Sequence, residues 1–170
     1  MKKNQGVSLV ALIIMIIVMI IIAGIALNSG IGSYDKALEA KSKEERHQVK
    51  NAVSTRFGDY TMNPSLKPLL GEQIPDDYFM ESDPDARIQA IKVYLLALFI
   101  SEGRLQTNDE VENHTTANEI QYFLEKNYEQ MEYTRIIRHS HIIELGIDSI
   151  ALPSVFVVNY YSADVIGPIQ

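Results

Sequence analysis

Two histidines, His139 and His141, are the first residues whose type and spacing suggest chemistry. Two positions apart on a strand they would share a face and could reach one metal ion, with His114 or Glu144 as a further ligand if the fold delivers one. The chain has no Cys, and no third ligand stands at a recognisable spacing, so structural or exposed histidines are the plainer reading. If residues 140–145 are helical, the pair diverges and the metal site is lost. Asp76, Asp77, Glu81, Asp83 and Asp85 form an acidic cluster suited in type to calcium. Their spacing is not that of an EF-hand loop, and Asp83 and Asp85 are accounted for by the start of a helix. Asn113 opens an Asn-His-Thr sequon, meaningful only in a eukaryotic secretory pathway. No nucleophile motif, phosphate-binding loop or catalytic carboxylate pair stands out, so no enzymatic activity, cofactor or metal is expected.

The elements that must position these residues begin with the N-terminus. Residues 1–6, MKKNQG, are basic and polar, and residues 7–27 follow as 21 residues without a charge. As a helix that run is roughly 31 Å long at about 1.5 Å per residue, which matches a hydrocarbon core of about 30 Å. No polar face interrupts it, as a core helix of a small soluble domain would require. With Lys2 and Lys3 ahead of the run, the N-terminus is expected in the cytoplasm and the chain after about residue 28 outside it. The run is longer than the apolar core of an ordinary signal peptide, although Gly24 and Ala26 would permit cleavage after Ala26. No Cys is present for a lipoprotein anchor.

Beyond the span, residues 28–32 include two glycines and predict a weak point in the helix. Residues 34–60 return to a helical pattern, charged at first, with Lys41 and Glu45 at i,i+4 spacing. Val49, Ala52, Val53, Phe57 and Tyr60 then form an apolar stripe. Residues 62–83 are rich in proline and lack periodicity. Asp83 and Pro84 predict the N-cap and first residue of a helix that ends at Gly103, with Ile88, Ile91, Tyr94, Leu95, Leu98 and Phe99 inward. Thr116 and Glu119 form a capping-box pattern opening a helix to about Met131. Residues 133–138 read as a strand. Ser140 is a possible cap for a short helix ending at Leu145 and Gly146, and a continuous strand is the alternative. Residues 154–160, SVFVVNY, are the strongest strand, with 164–166 as partner after a turn and Gly167-Pro168 as its end.

The N-terminal motif, Lys2-Lys3-Asn4-Gln5-Gly6 running directly into Val7, Ser8, Leu9 and Val10, resembles the class III signal of type IV pilins and type II secretion pseudopilins. The resemblance implies cleavage after Gly6 by a prepilin peptidase and methylation of Val7. Family members usually carry Phe at the first mature position and Glu at the fifth; Val7 and Ala11 stand there instead. The usual glutamate neutralises a neighbouring subunit's N-terminal amine, so Ala11 implies a good anchor but a poor repeat unit. A minor or initiating subunit follows.

The expected architecture is therefore α+β and pilin-like. It comprises a leader (1–6), a transmembrane helix (7–27), an amphipathic stem helix (28–60) and an extracytoplasmic head (61–170) with two further helices and a short antiparallel C-terminal sheet. Expected partners are the peptidase, other pilin-like subunits, the assembly platform and the lipid bilayer. A net charge of −7 argues against nucleic acid. The alternative is a single-pass surface protein with an uncleaved anchor, whose head binds a partner and never polymerises. A metal-dependent extracytoplasmic enzyme is a distant third.

Overall fold

The structure, a computed structural model, describes residues 9–105, 110–150 and 154–169, with the backbone alone described at 9–12, 21–32, 35 and 110–114. Two compact units divide it, Met1–Lys41 and Ser42–Gln170. Helix α1 (Leu9–Met62) supplies residues to both.

In the first unit the backbone is helical from Leu9 onward, and the side chains at 13–20 are exposed apolar groups. Helix continues through 28–32, where a weak point was expected. The physical reason is cooperativity: a glycine costs an existing helix about 1 kcal/mol, less than nucleating a second helix beyond a break. Among the described residues no helix is long and apolar enough to cross a membrane. Of the apolar run 7–27, only 13–20 has its side chains described.

The second unit is α+β, built on a four-stranded antiparallel sheet of order β1 (Glu72–Gln73), β2 (Thr134–Ile137), β3 (Val155–Asn159), β4 (Asp164–Ile169). Period-two alternation sends neighbouring side chains of each strand to opposite faces. On one face Ile136, Val155, Val157, Ile166 and Ile169 pack with Ile88, Ile91, Leu95 and Phe99 of α2 (Pro84–Ser101) and with Ile120, Phe123 and Leu124 of α3 (Glu110–Lys126). On the other, Ile137, Phe156, Val158 and Tyr160 meet Val49 and Val53 of α1 and Ile142 of α4 (His139–Glu144). The sheet is thus a middle layer, and β3 is buried at all five residues. That explains why residues 155–158 are apolar without alternation.

Several elements depart from expectation, each for a local reason. The irregular stretch 62–83 contains β1, paired with β2 through Glu72–Ile136 and Gln73–Arg135, and a tight helical turn at Asp76–Phe79. Gly71 precedes β1 at φ +107°, where a Cβ would lie 2.7 Å from the Ile137 Cδ1. Only glycine admits that approach. Helix α3 begins at Glu110, so Thr116 and Glu119 lie within it rather than at its cap. It ends at Lys126, before Met131, because the Asn127 side chain donates to the Phe123 carbonyl (2.9 Å) and leaves helical geometry. A tighter helix, Tyr128–Tyr133, follows. The short helix after β2 starts at His139, one residue ahead of Ser140, and its cap is the His141 Nδ1, which accepts the Arg138 N–H (3.1 Å). Among the described residues the unit Ser42–Gln170 therefore has three α-helices beyond α1, where two were expected. Strand β4 continues through Gly167 and the cis-bonded Pro168 to Ile169 instead of ending there. A register shift opposite, between Val155 and Val157, accommodates it, and proline sits on an edge strand where its missing N–H is harmless. Arg46 Nε–H donates to the Gly167 carbonyl (2.8 Å).

Candidate functional site

Gly6 and Val7, the expected processing site, lie outside the described residues. Ala11 is in helix α1, with its side chain outside the description. The two histidines do not form a metal pair. Both are in helix α4, where a two-residue step turns side chains apart by more than half a circle, and His141 is occupied as a helix cap. His114 and Asn113 have helical backbone in α3, their side chains outside the description. The acidic cluster is dispersed as well. Asp76 and Asp77 open the Asp76–Phe79 turn, Asp85 is in the first turn of α2, and the Glu81 Oε1 accepts the Ser82 N–H (3.0 Å). Among the described residues no group of three His, Asp or Glu side chains is placed to hold a metal ion.

Other side chains converge instead. Arg138, between β2 and α4, lies between two carboxylates. It reaches both oxygens of Glu72 on β1, and its Nη1 donates to the Glu102 Oε2 (2.7 Å) at the end of α2. Hydrogen bonding to Arg138 holds the Glu72 carboxyl below the usual carboxylate range. The arginine fork pins the two-residue strand β1 to the sheet and to the helical layer together. At the other end of the sheet Phe57, Tyr60, Tyr133 and Tyr161 form an aromatic cluster, with the Phe57 ring edge-on to Tyr133 at 5.6 Å and to Tyr161 at 5.9 Å.

The β3–β4 turn is held by Asn159, which is fully buried. Its Oδ1 accepts the N–H groups of Tyr161 (3.0 Å) and Ser162 (3.1 Å). Its Nδ2 donates to the Gln130 carbonyl (2.8 Å) and the Thr134 hydroxyl (3.1 Å). Ser162 then donates to the Asn127 Oδ1 (2.5 Å), and Lys126 pairs with Asp164 at 2.8 Å. Every contact joins elements of the fold, and this network is structural.

A cleft of about 440 Å³ lies beside β1. Gln73 of β1, the Asp76–Phe79 turn, Arg87 of α2, the Tyr128–Tyr133 turn and Arg135 of β2 line it. The Arg135 Nη1 donates to the carbonyls of Glu132 (2.6 Å) and Thr134 (2.8 Å). Arg87 donates from Nε to the Glu81 carbonyl (2.8 Å), and its guanidinium lies 5.4 Å from the Tyr128 ring centre. Neither arginine was singled out from sequence. The available signal was Arg135 itself, a cation in the otherwise uncharged strand Thr134–Ile137. Arg87, on a helix with many exposed positions, carried none.

No protein-family model, curated protein or solved structure matches the chain.

Proposed function

We propose that this chain is a non-catalytic, membrane-anchored pilin-like or pseudopilin-like subunit, a minor or initiating component of a type IV filament or a type II secretion type system. The observation that carries the reading is the N-terminal motif. Lys2, Lys3 and Gly6 lead without a break into the uncharged run 7–27. One feature of the fold adds support. Val49 and Val53, 22 and more residues beyond that run, sit on helix and pack against an antiparallel sheet. That is the arrangement expected of a stem helix entering a pilin-like head.

In this reading residues 7–27 cross the bilayer with the N-terminus in the cytoplasm, and the head is extracytoplasmic or displayed in a filament. A prepilin peptidase cleaves after Gly6 and methylates Val7. The anchor then holds the subunit in the membrane until its stem joins other stems on the assembly platform. The head offers surface to partners, and no catalysis or cofactor is involved.

Ala11 favours a minor role and keeps the second reading, a surface protein with an uncleaved anchor, in view. A carboxylate in a membrane helix costs about 2.5–3.5 kcal/mol near the bilayer centre and less toward its edge. Alanine avoids that cost and forgoes the intersubunit partner. Ala11→Glu is therefore expected to raise the fraction of chain recovered in sheared surface filaments, measured by immunoblot against the membrane fraction. Equal recovery of both variants would show that the missing carboxylate does not set the role. Absence of both from sheared material would favour the uncleaved anchor.

A further inference from the structure

The cleft beside β1 contains charges that have no ion-pair partner among the described residues. Arg135 retains 9% of its surface exposed, and among the described residues no carboxylate pairs with it. Burial pushes its pKa down, which marks the cost of keeping that cation out of water. Among the described residues its Nη1 alone is engaged, and by neutral carbonyls. Arg87 on the adjoining wall is likewise held by a carbonyl and an aromatic face rather than by an acid. Two guanidiniums are thus oriented in advance by neutral groups, Arg87 through its Nε and Nη2 on the Glu81 carbonyl and Arg135 through its Nη1, and among the described residues no acid pairs with either.

The same cleft carries Asp76, Glu129 and Glu132, all exposed and none ion-paired among the described residues. Cations and anions therefore line one concavity without neutralising each other. A simple anion would gain from Arg135 and lose against the three carboxylates. A ligand with charges of both signs gains at both, which is how a site excludes singly charged competitors. The volume of about 440 Å³ lies within the range of small-ligand pockets, roughly 300–1,000 Å³. Ile74 and Phe79 give it an apolar wall.

We infer that this cleft binds a zwitterionic amino acid or short peptide, whose terminal carboxylate is received by Arg135 with Arg87 alongside, and whose ammonium group faces the acidic rim. The inference does not depend on whether the chain polymerises, since every residue involved lies in the unit Ser42–Gln170.

The test is calorimetric titration of the full chain in detergent micelles with glycine, trialanine, trialanine amide and N-acetyl-trialanine. Saturable binding of trialanine is expected, weakened at least about tenfold by amidating the carboxylate, the loss of one charge-assisted interaction. Acetylation of the amine should also weaken it. Binding of glycine at comparable affinity would identify the free amino acid as the sufficient unit, and its failure beside trialanine would identify a peptide. Arg135→Gln is expected to reduce affinity at least about tenfold. Because Arg135 is buried, Arg87→Gln is the second variant, expected to weaken binding several-fold with an unchanged far-UV circular dichroism spectrum. No saturable binding of any of the four probes would overturn the inference. So would equal affinity for acid and amide, or unchanged affinity in Arg87→Gln and in a folded Arg135→Gln.

Discussion

Phe156→Ala is expected to destabilise the head by about 3–5 kcal/mol, the range for deleting a buried phenylalanine side chain. Phe156 is the second residue of β3, fully buried, opposite Ile137 in the register and packed within the cluster that includes Val49, Val53 and Ile142. Strands on both sides and helices above leave little freedom for the site to collapse around the space left behind. Total stabilities of about 5–15 kcal/mol make this a large fraction of what is available. The chain has nine tyrosines and no tryptophan, so urea unfolding followed by tyrosine fluorescence is the suitable measurement. A loss below about 1 kcal/mol would place Phe156 outside the core. A large loss is also the expected consequence of helix α1 packing directly on this face of the sheet.

Asn159→Ala should cost about 3 kcal/mol by a different route, since it removes hydrogen bonds rather than volume. The Asn159 amide satisfies two backbone N–H groups of the β3–β4 turn, a backbone carbonyl and the Thr134 hydroxyl. Alanine leaves buried donors and acceptors unpaired, each at about 1–3 kcal/mol, with water recovering part of that at the turn. Asn159→Asp is expected to be no milder. It keeps the acceptor toward Tyr161 and Ser162 but loses both donated bonds and buries a charge. Urea midpoints check both variants. If the aspartate variant matched the wild type, the donated bonds to Gln130 and Thr134 would carry no stability.

Much of this fold is legible from local signals. Asp83 and Pro84 mark the start of α2, although the Asp83 side chain makes no capping hydrogen bond. The stripe at Val49 and Val53 announces a buried helix face, and Val155, Phe156, Val157 and Val158 announce a strand. What escapes is whatever depends on partners distant in sequence. Glu72 and Gln73 are a strand only because Ile136 and Arg135 lie opposite them. Gly167-Pro168 reads as a terminator, yet a register shift in the neighbouring strand lets β4 run through it. Thr116 and Glu119 match a capping pattern inside a helix that starts earlier, because a capping motif is also an acceptable helical sequence. The histidine pair fails because residues 139–144 are helical, the outcome left open by the mixed signals around Ser140. The cleft could not be assembled beforehand, since it joins residues from Gln73 to Arg135 that meet only after the sheet has formed.

The reading of the N-terminus is the central claim, and Gly6 and Val7 are its testable residues. Mass measurement of the N-terminal peptide of the chain purified from the cell that makes it decides the matter. A peptide beginning at Val7 and heavier by one methyl group is the expected result. An intact Met1 terminus would contradict processing and favour the uncleaved anchor, and a terminus at Leu27 would contradict the membrane-held subunit altogether by showing ordinary secretion.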